Sequence, residues 1–294
     1  MLPMNQEDKI IQTLKEQRRE FSNIDKQQLE HVQERAYHLH TAPSYFLKWI
    51  PNDDRLGQNE IWVNQTILQK CDFSTPSLKF TIKLEEGSIA CWEWLDGTDL
   101  RHQNRDYLPQ AFAQLGRFHA QQRHQQTVYS LITHQGFDTI KELLKAELDF
   151  LCTYHDASVI RKAKTAFLLL ELGYPTYIHG DMHPGNLRLM GNSLRFVDWG
   201  YCISSVNLFD LGYIETVRFQ STEESGWWNI TPDEAKTVLP AYFEASGLDC
   251  NNIDQIQRAV MLWSKLWSYY NCVKNDKKTE AVKCKQDIDL LEIN

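Results

Sequence analysis

The stretch that decides the fold is His179-Gly-Asp-Met-His-Pro-Gly-Asn186, followed after a short polar and apolar alternation by Val197-Asp-Trp-Gly200. The first segment is a loop: Gly180, Pro184 and Gly185 break any regular element and hold Asp181 and Asn186 five residues apart. Next come Asn186-Leu-Arg-Leu-Met190, the turn pair Gly191-Asn192 and Leu194-Arg-Phe-Val197, which read as a β-hairpin that returns the chain so that Asp198 emerges beside Asn186. Two carboxylates and an amide gathered this way suit phosphoryl transfer. That reaction needs an acceptor oxygen aligned with the γ-phosphorus, a carboxylate near its proton, and metal ions to offset phosphate charge. Asp181 can face the acceptor, while Asn186 and Asp198 offer the hard oxygen ligands that magnesium favours.

Outward from this centre the chain changes texture. On the N-terminal side, residues 5–20 place Ile10, Ile11 and Leu14 on one side of a helix. Ala36–Thr41 and Tyr45–Ile50 are strand-like and joined by Ala42-Pro43-Ser44. Pro51-Asn-Asp-Asp54 leads into an amphipathic helix over 59–68. Ser77–Lys83 alternates with period two, Glu85-Glu86-Gly87 turns the chain, and Ser88–Leu95 is a further strand. After Asp96-Gly97 the pattern is helical: Leu108–Gln122, Ile140–Tyr154 and Ala157–Leu172, with Thr176–Ile178 as a β island. Thr231–Ser246 comes next, with Thr231 as cap and Pro232 in the first turn, and then Asn252–Cys272. The expected fold class is α+β and bilobal, with a β-rich N-terminal lobe over 1–96 and a mostly helical C-terminal lobe over 97–294.

The ordered set resembles the aminoglycoside phosphotransferase and choline kinase-like family, which is built on the protein-kinase fold. His179-Gly180-Asp181 with Asn186 resembles its H-G-D-x-x-x-x-N catalytic loop, and Val197-Asp198-Trp199 its metal-binding segment. Asn207-Leu-Phe-Asp-Leu-Gly212 is similar to a downstream D-L-(A/G) segment in which Asp210 has a structural part. The resemblance runs in order from about residue 30 to residue 270 and implies further roles. Lys48, in Phe46-Leu-Lys-Trp-Ile50, is the strand lysine that holds the α- and β-phosphates. Glu60 orients that lysine. Cys91, Trp92, Glu93, Trp94 and Leu95 form the hinge whose backbone bonds the base. Leu115-Gly-Arg-Phe-His119 is similar to the helical stretch after the hinge. One departure stands out: the region between the first two strands, where the family carries small residues or glycine, reads Glu30-His-Val-Gln-Glu-Arg-Ala36.

The resemblance implies a kinase dependent on ATP or GTP and on Mg2+ that phosphorylates a hydroxyl of a small molecule. An antibiotic bearing hydroxyl and amino groups leads among substrates. A metabolic alcohol such as choline or homoserine, or a role like that of the spore-coat kinases, is the enzymatic alternative. A pseudokinase that binds a partner is the reading from another class. A protein-kinase role is disfavoured, because no D-F-G followed by an activation segment and A-P-E is present.

Bulk properties bound the rest. The 294 residues suffice for one large or two modest domains. The formal charge of −8 disfavours a nucleic-acid or anionic-membrane partner. Seven scattered cysteines without a C-x-x-C pair read as reduced thiols, and with no apolar leader segment a cytoplasmic location is expected. His38 and His40 share one strand face, which raises a metal, but the sequence shows no third ligand nearby. His179 reads as a buried brace of the loop and His183 as loop architecture. Trp263, Trp267 and Tyr270 have helical spacing and read as core, as do Trp227-Trp228. Glu223-Glu224 and Asp233-Glu234 read as solvated or helix-N-terminal acids that could meet a cationic substrate.

Overall fold

The computed structural model describes residues 5–100, 104–213, 230 and 232–293. Trp227-Trp228, Glu223-Glu224 and the capping role of Thr231 therefore lie outside the described residues. The chain forms two compact units, residues 1–98 with 190–200, and residues 99–189 with 201–294. A single cut at 96/97 leaves 190–200 in the second part, whereas the fold groups that segment with the first. The reason is local: Phe196 N donates to Ser74 O at 2.9 Å, Thr75 Oγ1 donates to Phe196 O at 3.0 Å, and the Phe73 ring packs on Phe196 and Trp199.

The first unit starts with helix α1 (Gln6–Gln17), capped by the Asn5 side chain, which accepts from Asp8 N. A five-stranded antiparallel sheet comes next in the order β1-β2-β3-β5-β4: β1 (Leu29–Gln33), β2 (Ala36–Leu39), β3 (Tyr45–Pro51), β4 (Leu78–Leu84) and β5 (Gly87–Glu93). Directly opposed residues share a face, so the register sorts the side chains. Leu39, Leu47, Trp49, Ile82, Ile89 and Cys91 pack with Ile10, Ile11 and Leu14 of α1. The other face carries Ala36, His38, Phe46, Lys48, Ala90 and Trp92. Helix α2 (Arg55–Thr66) contributes Ile61 to a small cluster with Ile50, Ala90 and Trp92.

Sequence reading starts α2 four residues late. The helix begins at Arg55 because Asp54 Oδ1 accepts from Gly57 N at 3.0 Å, an N-cap that precedes the apolar periodicity. Glu30–Gln33, read as part of the link between the first two strands, is itself strand β1, and only Glu34-Arg35 turns the chain. Its polar composition hid it. Four of the five β1 residues are exposed on an edge strand, where charged side chains also discourage pairing with another chain.

The chain leaves the first unit through β6 (Thr98–Asp99). In the second unit lie α3 (Leu108–Gln121), the two-residue pair β7 (Val128–Tyr129) and β8 (Gly136–Phe137), α4 (Ile140–Leu151) and α5 (Ala157–Leu170). Strand β9 (Pro175–Ile178) precedes the Asp181 loop. Then come β10 (Leu187–Met190), β11 (Ser193–Phe196), β12 (Ile203–Val206), α6 (Pro232–Ser246), α7 (Ile253–Lys274) and α8 (Lys278–Leu290). The β9 strand pairs antiparallel with β12, Ile178 opposite Ile203, and so fixes where the loop after Ile178 begins. Among the described residues no helix is long and apolar enough to cross a membrane.

Trp263 is buried, stacks on Phe209 at 4.2 Å and donates from Nε1 to Glu147 Oε2 at 2.7 Å. Trp267 and Tyr270 are only half-buried; Tyr270 packs against Phe150 and Tyr154 at the surface, so the core reading holds for Trp263 alone. Glu147 is fully buried and its Oε1 has no hydrogen-bond partner. Burial pushes its carboxyl up to about 7, and the Ser130 and Trp263 side chains offset only part of that. The unfolded chain gives up this proton near the ordinary 4.5, so the folded state loses stability as pH rises from there to about 7. The loss amounts to about 3 kcal/mol. Glu147→Gln is expected to remove that slope. In urea unfolding the variant should gain on the wild type at pH 8 and not at pH 4.5; an equal difference at both would contradict the assignment.

Candidate active site

In the first unit three of the expected residues come together. Lys48, central in β3, points from the sheet face that α2 covers, and its Nζ lies 2.9 Å from Glu60 Oε2. The approach of α2 to the strand depends on Gly57. A Cβ there would stand 2.7 Å from Ile50 Cγ2, so only glycine lets the helix lie this close. Asn64 Nδ2 donates to Glu60 O at 2.9 Å within the same helix. Burial disfavours the charge on Lys48, but the Glu60 and Asp198 carboxylates outweigh it, and the ammonium is held above its usual range. Burial raises Glu60 in turn, with Lys48 opposing and Asp198 adding to the rise. Asp198 is thus an electrostatic neighbour of both.

Asp198 takes a left-handed backbone conformation, φ +61°, which an aspartate tolerates better than most residues. The two residues after it are anchored. Trp199 is buried, its Nε1 donating to Phe196 O at 3.3 Å, and Asn59 Nδ2 of α2 donates to Gly200 O at 2.9 Å. Asn59 and Asp54 are positioning residues that sequence reading missed. A polar side chain one place before Glu60 carried no signal that its partner lies 141 residues on.

The second unit holds the Asp181–Asn186 loop. Asn186 Nδ2 donates to Asp181 O at 2.8 Å and to Asp181 Oδ2 at 3.2 Å. The amide nitrogen is thereby occupied and the amide oxygen is the atom left to meet a cation. His183 caps the single turn Pro184–Asn186, its Nδ1 accepting from Gly185 N at 3.1 Å, which leaves Nε2 to carry the proton, 3.5 Å from Asp181 Oδ2. His179 is fully buried and its Nδ1 accepts from Asp181 N at 3.3 Å, as a brace.

Beneath the loop sits Asp210. Its carboxylate accepts from His179 N at 2.7 Å and Gly180 N at 2.8 Å, and lies 3.1 Å from His119 Nε2. His119 Nδ1 meets Tyr242 Oη at 2.8 Å, and Tyr242 is tied to Asn207. Burial alone would raise Asp210, but the hydrogen bond and charge of His119, with His179, hold it below the ordinary carboxylate range. Gly180, at φ +78°, allows the turn; a Cβ there would collide with Tyr201 O.

The hinge segment is divided. Cys91 turns its side chain into the α1 core, and the buried Trp92 lies on the Lys48 face opposite Phe46. Glu93 N donates to Ser77 O at 3.1 Å and Trp94 N to Ser44 O at 3.3 Å, so these two donors are already engaged; Leu95 lies just past the end of β5. Of the acids considered for a cationic substrate, Glu234 is held by Arg105 through bonds of 2.6 and 2.8 Å, and Asp233 by Lys236 at 2.8 Å.

A β-sheet unit in which a half-buried lysine pairs with a buried glutamate, and a helical unit with an Asp-to-Asn loop seated on a buried aspartate, define a protein-kinase-like phosphotransferase. The chain belongs to the phosphotransferase enzyme family, whose model matches residues 27–251. It is similar in fold to the streptomycin–ATP–APH(2")-IIa ternary complex, with a TM-score of 0.60, 13% identity and coverage of 100% of this chain and 98% of the other. Choline kinase from Cryptosporidium parvum Iowa II gives 0.57 and 12%, covering 96% of each chain. Amicoumacin kinase hAmiN in complex with AMP-PNP, Ca2+ and Ami gives 0.58 and 12%, covering 92% and 91%. Comparison with curated proteins finds no match.

Proposed function

We propose that the protein transfers the γ-phosphoryl group of ATP or GTP to a hydroxyl of a small molecule, with Asp181 as the residue that faces the acceptor. The observation that carries this reading is the paired arrangement of Lys48 with Glu60, under the field of Asp198, in a chain that also builds the Asp181–Asn186 loop on Asp210. A scaffold without catalysis has no physical use for the whole set.

Lys48 Nζ, kept charged and aimed by Glu60, donates to the α- and β-phosphate oxygens. Asn186 Oδ1 and the Asp198 carboxylate are the hard oxygen ligands that suit Mg2+, and the donation of Asn186 Nδ2 to Asp181 supports this orientation of the amide. Bound there, the ion would offset charge on the phosphates. Asp181 accepts the hydrogen bond of the acceptor hydroxyl, aligns its oxygen with the γ-phosphorus and takes the proton as the new P–O bond forms and the bond to the β-phosphate oxygen breaks. Among residues 91–95, the Leu95 backbone N–H is the donor favoured for the base, because those of Glu93 and Trp94 are engaged.

The first-ranked acceptor is an antibiotic bearing hydroxyl and amino groups, and two of the similar structures, by their names, bind streptomycin and Ami. The choline kinase likeness keeps a small metabolic alcohol as the second reading. The seven free cysteines suit a cytoplasmic location. A screen of coupled ADP or GDP release over antibiotics and small alcohols, with mass spectrometry of the product, tests the reading. A monophosphorylated product is expected from one class. Magnesium-dependent nucleotide binding without transfer to any acceptor would instead support the pseudokinase.

A further inference from the structure

On the sheet face that carries Lys48, Glu30, His38 and His40 converge from two neighbouring strands. Glu30 in β1 stands directly opposite His38 in β2, so the two side chains leave the sheet on one side. His40 lies two residues on, and its place is fixed from the backbone. His40 N donates to Gln28 O at 2.8 Å and Gln28 Nε2 donates to His40 O at 3.1 Å. Glu30 Oε2 lies 2.7 Å from His40 Nε2 and 3.9 Å from His38 Nδ1, and one donor atom from each of the three residues lies within 4.8 Å of the others. The third ligand that the sequence could not show is therefore present, supplied across the strand pair.

We propose that Glu30, His38 and His40 form a binding site for a divalent cation of the zinc and nickel class. Two imidazole nitrogens with one carboxylate oxygen suit such borderline ions and not magnesium, which takes all-oxygen sets. Bonds of about 2.1 Å in a tetrahedral arrangement need donor atoms about 3.4 Å apart. The observed 2.7 and 3.9 Å bracket that value. Glu30 and His40 have about half of their side chains exposed, at 59% and 47%, so they can make the adjustment and leave the ion a path from solvent.

His38 is the fixed member. Its ring stacks on Trp94 at 3.6 Å with an interplanar angle of 3°, and its side chain is only 12% exposed. Its Nε2 is buried without a hydrogen-bond partner, and Nδ1 is beyond hydrogen-bond range of Glu30. A simple Glu30–His40 bond accounts for two of the residues; the His38 ring packs on both Trp94 and His40, and its Nδ1 stands 3.9 Å from the Glu30 carboxylate without bonding it. A cation completes all three, with a fourth position open to water.

The test is titration of the full-length protein with Ni2+ and with Zn2+ by isothermal calorimetry, in buffer with millimolar Mg2+. One equivalent is expected to bind, unaffected by Mg2+. Glu30→Gln and His40→Ala change exposed side chains and are expected to leave the thermal unfolding midpoint in place, while each weakens binding at least about tenfold. His38→Ala is expected to do the same, and if its fold suffers the two exposed variants still decide. No binding by the wild type, or equal affinity in Glu30→Gln and His40→Ala, would overturn the proposal. The result is independent of whether nucleotide turnover is found.

Discussion

Asp181→Ala is expected to lower turnover by about a thousandfold while nucleotide affinity stays within about twofold of wild type. The carboxylate is assigned to the acceptor hydroxyl, and its interaction is used in the transition state more than in nucleotide binding. Removing it costs the His183 contact at 3.5 Å but leaves the backbone tie of the loop. Asn186 Nδ2 keeps its 2.8 Å bond to the backbone oxygen of residue 181 and loses only the 3.2 Å bond to the side chain. The Asn186 oxygen proposed as a metal ligand therefore keeps its orientation, and the loss is expected to fall on kcat. Single-turnover kinetics beside a nucleotide titration check this. Retained turnover would remove Asp181 from its assigned role, and a parallel collapse of nucleotide affinity would make it a binding residue instead.

Asp210→Asn is expected to destabilise the fold by about 3–5 kcal/mol and to abolish turnover together with stability. The native carboxylate accepts from two backbone N–H groups and faces His119, all in a fully buried setting. An asparagine has one acceptor oxygen, and its amide group would face a donor wherever it turned. At least one buried N–H loses its partner. Because the depressed pKa of Asp210 makes the carboxylate stabilising, its contribution should persist above the ordinary aspartate value and fade as pH falls through the folded one. Urea unfolding of the variant at neutral pH measures the loss. Stability equal to that of the wild type would show that the loop does not rest on this carboxylate.

Much of the architecture was readable because the signals were local. The Gly180, Pro184 and Gly185 punctuation marks the loop, period two over Ser77–Lys83 marks β4, the Glu85-Glu86-Gly87 turn marks the start of β5, and the helical pattern over Leu108–Gln122 marks α3. The family resemblance implies Lys48 and Glu60, and the structure brings them into one ion pair. Features that stayed hidden depended on long-range partners or on weak patterns. Helix α8 buries only Cys284 and Ile288, too sparse a stripe to announce a helix; Lys162 Nζ donates to Ile288 O at 2.7 Å near its end. Strand β12 is four residues long and acquires meaning only from β9. The grouping of 190–200 with the first unit rests on bonds to Ser74 and Thr75, about 120 residues away. Glu30 escaped notice as a neighbour of His38 because strand register, with its irregularity between His31 and Gln33, is not written in composition.

The proposed transfer requires a nucleotide held with a divalent ion, with the Asp198 carboxylate proposed as one of that ion's oxygen ligands. The direct measurement is calorimetric titration of ATP and GTP into wild type and Asp198→Asn, each with and without Mg2+. Wild type should bind at least one nucleotide much more tightly with the ion, and the substitution should erase most of that difference. Nucleotide binding that is absent, or equally magnesium-dependent in both proteins, would contradict the proposed kinase.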